Sequence, residues 1–504
     1  MWILYDNIAV VMVALLTCAF AWLYGGTIAS ASLPVIPWLL VFLVDIMICF
    51  PQRHRGESIY DARERTWFML KKDPLTWLAL GFTIILLVPF LNKGLCQICD
   101  YAAINLEGVN PKPPIPIAPF CVDRIDHLNV VLWFVPAFAA MLAVKHSLLK
   151  RGKRAVIAAI VYNGLFLSII GVVQQVTGAD FPLWQSHYLR GKGVYFFSTF
   201  GYANMGGDYF TTLFALSMAL WRWDVERAYA EEDEGDADIL KVDNHRKFWR
   251  KHFMLIPAVV FFLSALATLS RAAILLVSVL AMLMFVHAFV CTFVRLNKMQ
   301  KLRAAVASLV VLVSVALGAM YSLSGEVGKQ FKGTTSVEMM DRISGRQQIH
   351  AKVAAEILKD YPFFGCGGWG YKHFALSKIR KEQILFFKSP GAANVHNDYL
   401  QFMVEHGVVG FAILAAMVYL LVKPLVSVWK ALASSIRFRP PKRPLPRPAA
   451  LFVFPAPALF IMLSALATLV HAFADCPFRS PAILTLFFVS LAAADGFLPR
   501  IKRH

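Results

Sequence analysis

Long apolar runs dominate this sequence and restrict its fold more than any other feature. Runs of about 17–25 residues, long enough to cross a bilayer, occur at about twelve places. They lie near residues 8–26, 33–50, 74–91, 127–144, 155–176, 200–221, 253–270, 272–290, 304–323, 408–422, 451–470 and 481–499. A backbone that faces lipid must satisfy its own hydrogen bonds, so each run is expected to be a helix. We therefore predict an all-α polytopic membrane protein with about twelve transmembrane helices.

The basic residues indicate how these helices are oriented. If the N-terminus is cytoplasmic, the cytoplasmic segments hold 32 Lys and Arg residues, whereas the short loops on the other side hold seven. Cytoplasmic loops are the ones enriched in positive charge, which favours cytoplasmic N- and C-termini. The net charge of +19 thus reflects topology and contact with membrane lipids. It does not predict nucleic-acid binding.

One long polar segment interrupts the apolar runs. The chain is expected to divide into residues 1–323 with nine membrane helices, a large periplasmic loop at 324–407, and residues 408–504 with three more helices and a short cytoplasmic tail. Within the loop, apolar residues recur at helical spacing over 347–359, so the loop should be partly helical. Pro362 and the glycines from Gly365 to Gly370 should end that helix in a turn where the backbone approaches a neighbour or a ligand.

Three cationic or titratable side chains lie at predicted external boundaries of the membrane. His396 closes the long loop, in the stretch His396-Asn-Asp-Tyr-Leu-Gln401, and a neutral histidine can accept a proton near pH 7. Arg190 and Arg271 stand at the same side, and guanidinium groups bind phosphate through two parallel hydrogen bonds. Each has a simpler reading, since a loop histidine can be merely solvated and an arginine at a helix end can snorkel. Together they indicate an anion held at the membrane surface, beside a proton acceptor.

The sequence predicts no metal site and no cofactor. The external loops lack the aspartate-rich motif expected for a magnesium–diphosphate site. Cys96 and Cys99 form a CxxC pair, but no second pair supplies four zinc ligands. Two arginines and a histidine would be enough to neutralise a diphosphate leaving group and to activate a hydroxyl.

Several short motifs resemble the O-antigen ligase and O-antigen polymerase superfamily and occur in that family's order. They are Arg190 ahead of Phe200-Gly-Tyr-Ala-Asn204, Ser270-Arg271, Asp360-Tyr-Pro-Phe-Phe-Gly-Cys-Gly367, His396-Asn-Asp-Tyr-Leu-Gln-Phe-Met-Val-Glu-His-Gly407, and His471-Ala-Phe-Ala-Asp-Cys-Pro-Phe478. The resemblance covers roughly residues 150–499 and is most specific in the stretch that begins at His396.

This resemblance implies an inverting glycosyl transfer at the periplasmic face. The donor would be an undecaprenyl-diphosphate-linked glycan, and the acceptor a glycolipid or glycan such as the lipid A core. Arg190 and Arg271 would bind the diphosphate, and His396 would accept the proton. The supporting residues would be Asn204, Asn397, Asp398, Tyr399 and Gln401. His471 and Asp475 are weaker candidates, because capping or packing explains them nearly as well.

Two other functions remain open from the sequence. A polysaccharide polymerase that joins lipid-linked repeat units would use the same donor chemistry. A transporter or flippase of lipid-linked sugar would also fit twelve helices. Transporters commonly show repeated halves and charged or broken helices at mid-membrane. The sequence shows no internal repeat, and its candidate residues lie at external boundaries, which disfavours transport.

Overall fold

The structure is a computed structural model that describes residues 8–54, 56–92, 113–185, 196–233, 251–293, 336–378, 394–438 and 455–498. Helices form nearly all of the secondary structure in this part of the chain, which contains no strand. Arg190, the Cys96–Cys99 pair and the apolar run at 304–323 lie outside the described residues.

Fourteen helices of nine residues or more can be numbered along the described chain. They are α1 Ile8–Trp22, α2 Ile36–Cys49, α3 Ile59–Lys72, α4 Pro74–Leu87, α5 Arg124–His146, α6 Lys150–Val176, α7 Ala203–Asp233, α8 Leu255–Ala267, α9 Arg271–Phe293, α10 Ser336–Asp360, α11 Gly370–Lys378, α12 Asp398–Phe438, α13 Ala456–Ala474 and α14 Pro481–Ala493. Every predicted apolar run other than 304–323 coincides with one of them. The all-α prediction is confirmed for the described residues.

Five of the described helices are long and apolar enough to cross a membrane. They are α5, α6, α9, α12 over Asp398–Ala431, and α13. The pair α3 and α4, which meet at 70°, makes a sixth if it counts as one broken span. The apolar helices α1, α2, α8 and α14 are shorter. The structure is therefore that of an all-α membrane protein, and the count of twelve spans stays a prediction.

Helix α3 is an element that the apolar runs did not predict. A capping box starts it: the Ser58 side chain accepts from the Asp61 backbone N–H, and the Asp61 carboxylate accepts from the Ser58 N–H. Ala62, Thr66 and Leu70 are buried at a spacing of four residues, which is one face of a helix. Because only this narrow stripe is buried, the segment does not stand out in a search for long apolar runs.

The helices pack into two compact units, each built from separated stretches of the chain. The first comprises residues 1–152, 337–423 and 468–492. In it α1 packs on α2 and α5, and α4 packs on α5. Aromatic rings fill its interior, with Phe82 and Phe134 4.9 Å apart between ring centroids and Phe138 and Phe488 5.5 Å apart. This unit contains His396 and the residues that follow it.

The second unit comprises residues 153–336, 424–467 and 493–504. Helix α7 packs against α8 and α9 within it. A Cβ added to Gly207 on α7 would lie 2.4 Å from the Cβ of Ala273 on α9, so glycine permits this close approach. Ser264 on α8 donates a hydrogen bond of 3.0 Å to the Ser168 hydroxyl on α6. This unit contains Arg271 and Asn204.

The predicted loop at 324–407 contains two helices with a core of their own in the first unit. Val353 and Ile357 of α10, which the periodicity assigned to a helix, are buried together with Tyr371 and Phe374 of α11. Val395, directly before His396, belongs to the same cluster. The loop helices thereby fix the backbone on which His396 sits.

The glycine turn after α10 lies directly against the backbone of α12. Cys366 N donates to Val404 O at 2.9 Å, and Gly367 N donates to Glu405 O at 3.0 Å. Gly407 breaks the regular geometry of α12 with φ of 66°, and a Cβ there would lie 2.1 Å from Phe363 O. The neighbour of the predicted turn is thus the protein's own backbone, and glycine is needed on both sides of the contact.

Candidate active site

His396 lies in the last turn of chain before α12 and is held in an unusual backbone conformation. Its φ is 54°, in the left-handed region, which histidine adopts more readily than most residues. The Val395 N–H before it donates to Gln401 Oε1 at 2.6 Å. The His396 side chain is 12% exposed.

Asp475 is the polar partner of His396. His396 Nδ1 lies 3.2 Å from Asp475 Oδ1, and the same carboxylate oxygen accepts from the Cys476 backbone N–H at 2.9 Å. A carboxylate accepts hydrogen bonds and cannot donate when ionised, so Nδ1 carries the ring proton. In the neutral form of the ring the lone pair is then on Nε2.

Two further contacts join the segment around His396 to the segment around Asp475. Asn397 Nδ2 donates to Phe473 O at 3.2 Å. Asp398, the buried first residue of α12, accepts from the Phe478 N–H at 2.8 Å. These bonds begin one and two residues after His396 and reach residues on both sides of Asp475 in sequence, so they hold the two segments together.

Tyr399 and Gln401 also bond within the protein. The Tyr399 hydroxyl donates to Leu469 O at 2.7 Å, and its ring lies 4.4 Å from that of Phe473. Gln401 accepts from Val395 N and donates from Nε2 to Glu405 Oε1 at 2.7 Å. Both side chains therefore position the backbone of the site.

A buried ion pair lies next to the residues of the site, and it was not predicted from the sequence. Arg479 is paired with Glu405, and both side chains are almost completely buried. The Arg479 guanidinium lies 4.5 Å from the centroid of the Trp369 ring, a separation at which a cation is attracted to the face of tryptophan. The available signal was Glu405, three residues before the apolar run at 408–422, since a buried carboxylate requires a partner.

Three other groups lie near His396. The His350 ring centroid is 5.8 Å from that of His396, and His350 Nδ1 is 2.7 Å from the Tyr371 hydroxyl. Cys476 is buried, and its thiol donates to Asp475 Oδ1 at 3.4 Å. Burial, and then the nearby Asp475 charge, raise the pKa of this thiol. His471 is buried in the last turn of α13, and its carbonyl oxygen accepts from Asp475 N at 3.0 Å.

A cavity of about 250 Å³ adjoins this site within the first unit. Asp398 and Tyr399 lie at its wall, and the other lining residues are apolar, among them Phe402, Phe411 and Leu469. A cavity of this composition accepts hydrocarbon and excludes charged groups.

The structure brings most of the predicted residues together, but not all. His396, Asn397, Asp398, Tyr399, Gln401, His471 and Asp475 are all in the first unit. Arg271 is half-buried and starts α9 in the second unit, just after Ser270, whose hydroxyl accepts from Ala273 N at 3.3 Å. Asn204, also in the second unit, donates to the Tyr202 hydroxyl at 3.0 Å. Arg190 is not described, so a diphosphate site made by Arg190 and Arg271 beside His396 stays a prediction.

Comparison with known families addresses the resemblance directly. The sequence model described as O-antigen ligase matches residues 256–415. This segment is similar to the O-antigen ligase family. It covers α8 to α11 and the first part of α12, and it contains both Arg271 and His396. The predicted resemblance to the O-antigen ligase superfamily is thereby confirmed.

The family match supports a transferase that acts on lipid-linked glycans, in a bacterial membrane. No curated protein matches the chain.

Proposed function

We propose that the protein transfers a glycan from undecaprenyl diphosphate to a sugar hydroxyl of an acceptor such as the lipid A core, at the periplasmic face of the inner membrane. The reaction inverts the anomeric centre and uses no metal. The observation that carries the proposal is the His396–Asp475 pair, with Nδ1 bonded to the carboxylate and the His396 side chain 12% exposed. His396 lies within the family-matched residues 256–415.

His396 acts as the general base in this reaction. Nε2 removes the proton of the acceptor hydroxyl, and the oxygen attacks the anomeric carbon from the side opposite the diphosphate. The bond between that carbon and the diphosphate oxygen breaks, and undecaprenyl diphosphate leaves with the electron pair. Asp475 stabilises the imidazolium that forms, because the carboxylate is 3.2 Å from Nδ1. General base catalysis of this kind contributes about 10²–10⁴-fold.

Arg190 and Arg271 would bind the diphosphate. Negative charge grows on the leaving oxygen in the transition state, and guanidinium groups neutralise it without losing a proton. Arg271 begins a helix whose N-terminal end carries a partial positive charge, which favours an anion at that position. The apolar cavity beside Asp398 and Tyr399 has the chemistry to hold part of the polyprenyl chain.

The topology belongs to the same proposal. Residues 324–407 form the periplasmic loop between nine membrane helices in 1–323 and three in 408–504, with both termini cytoplasmic. Single cysteines placed at Glu64 and at Glu356, both exposed, would test it in a background without native cysteines. We expect a membrane-impermeant thiol reagent to label position 356 in intact spheroplasts and position 64 only after lysis. The reverse pattern would overturn the orientation.

The first experiment on function compares a strain that lacks this gene with its parent. The surface glycolipid is separated on a gel, and lipid-linked intermediates are extracted alongside. Acceptor without glycan, together with long chains accumulated on undecaprenyl diphosphate, is the expected result for a ligase. Acceptor that carries one repeat unit, with no long chains, would instead establish the polymerase. Repeat units trapped on the cytoplasmic side would overturn the proposal in favour of transport.

A further inference from the structure

Three different metal-binding atoms meet at the proposed catalytic histidine. His396, Asp475 and Cys476 each offer one ligand atom, a ring nitrogen, a carboxylate oxygen and a thiol sulfur, and these atoms all lie within 4.8 Å of one another. The two separations from Asp475 Oδ1 are 3.2 Å to Nδ1 and 3.4 Å to Sγ. Among the described residues, these three form the group of His, Cys, Asp or Glu side chains whose ligand atoms lie close enough together to bind one metal ion.

The spacing fits a tetrahedral ion of the zinc class. Zinc binds imidazole nitrogen, carboxylate oxygen and thiolate sulfur at about 2.0–2.3 Å, which separates neighbouring ligands by about 3.3–3.8 Å in a tetrahedron. Both separations from Asp475 are already within about 0.1 Å of that range. The donor set also selects the metal, because thiolate and imidazole favour Zn²⁺ and Co²⁺ over Mg²⁺ and Ca²⁺.

The protein holds these three side chains in place before any ion arrives. His396 precedes α12, whereas Asp475 and Cys476 follow α13. The bonds from Asn397 to Phe473 and from Phe478 to Asp398 join the two segments next to the group. Both the backbone N–H and the thiol of Cys476 donate to the Asp475 carboxylate.

We propose that His396, Asp475 and Cys476 form an inhibitory binding site for Zn²⁺ or a closely similar transition-metal ion. The ion takes the Nδ1 lone pair of His396, and the remaining ring proton is then on Nε2. That nitrogen can donate a hydrogen bond but cannot accept the proton of an acceptor hydroxyl. The ion also replaces the thiol proton of Cys476, which is released to solvent. A bound ion therefore removes the base without disturbing the fold.

The inhibition rests on the proposed function, whereas the binding does not, so the two are measured separately. Binding is followed with Co²⁺, whose thiolate charge-transfer absorption reports a cobalt–sulfur bond. The full-length protein in detergent carries Cys96→Ser and Cys99→Ser, so that this pair does not bind cobalt. We expect one thiolate-bound Co²⁺ per chain. Cys476→Ala should abolish the absorption band, and Cys18→Ala, on α1, should retain it.

Inhibition is measured as glycosyl transfer by the same proteins in proteoliposomes. Micromolar Zn²⁺ should inhibit the parent at least tenfold, millimolar Mg²⁺ should not, and a chelator should restore the rate. Relative to its own rate without zinc, Cys476→Ala should need at least tenfold more Zn²⁺ for the same fractional inhibition.

The outcomes separate the two hypotheses. A cobalt band that is absent, or that survives Cys476→Ala, would overturn the metal site and leave the transferase untouched. A Cys476-dependent band without inhibition by Zn²⁺ would overturn the inhibitory role and leave the transferase proposal untouched.

Discussion

His396 Nδ1 and Asp475 Oδ1 are 3.2 Å apart, although 79 positions separate the two residues in sequence. The pair joins the segment before α12 to the segment after α13. The motif that begins at His396 does not include Asp475. This carboxylate comes from a second motif, His471–Phe478, to which the sequence analysis gave a weaker role.

Asp475→Asn should therefore reduce transfer by about 10²–10⁴-fold without preventing membrane insertion. The amide can donate to Nδ1, which places the ring proton on Nε2 and removes the acceptor. Initial rates in proteoliposomes measure the effect. Glu356→Gln, an acid-to-amide change at an exposed position of α10, is the matched control and should keep the parental rate. Parental activity in Asp475→Asn would refute the role given to the carboxylate.

His396→Asn separates the chemistry of the residue from its backbone conformation. Asparagine tolerates a φ of 54° well but cannot act as a base near pH 7. We expect a thermal unfolding midpoint in detergent close to that of the parent and a loss of transfer of about 10²–10⁴-fold. His396→Val, which disfavours this φ, should in addition lower the midpoint. If His396→Asn remained fully active, the histidine would not be the proton acceptor.

The Glu405–Arg479 pair predicts strong coupling between two mutations. Removing one partner leaves an uncompensated buried charge, so Arg479→Met should lower the free energy of unfolding by about 3–5 kcal/mol. The double variant Glu405→Met/Arg479→Met should lose less than the sum of the single variants by about 2 kcal/mol. Denaturant titration in mixed micelles measures all three. Additive effects would mean that the two charges do not stabilise each other.

Gly407 provides a test of the contact between α12 and the glycine turn. A Cβ at this position would lie 2.1 Å from Phe363 O, and φ is 66°. Gly407→Ala should therefore destabilise the protein by about 2–4 kcal/mol. Gly81→Ala is the control, because Gly81 lies within α4 and a Cβ there meets nothing within 4 Å. It should be neutral or stabilising by up to about 1 kcal/mol. Equal stability of the two variants would argue against this close contact.

The sequence predicts those parts of the fold that local pattern determines. The run at 127–144 matches α5 at Arg124–His146, and the periodicity at 347–359 lies within α10 at Ser336–Asp360, because burial imposes length and spacing on each helix. Contacts between distant segments follow no local pattern. The pairing of Arg479 with Glu405 and the approach of His350 to His396 depend on tertiary packing, so the sequence could not reveal them.

Arg271 carries the last prediction, because it tests the donor side of the proposed reaction. Lysine keeps the positive charge but provides a single ammonium in place of a planar fork, so Arg271→Lys should impair transfer strongly. We expect a loss of at least about tenfold in kcat/KM, since one or two charge-assisted hydrogen bonds of about 1.5–3 kcal/mol each are weakened. Arg124→Lys is the control, since Arg124 is exposed at the start of α5 and donates to Phe90 O at 3.1 Å. A wild-type rate in Arg271→Lys would mean that charge neutralisation alone suffices, and a wild-type rate in Arg271→Ala would remove this residue from the donor site.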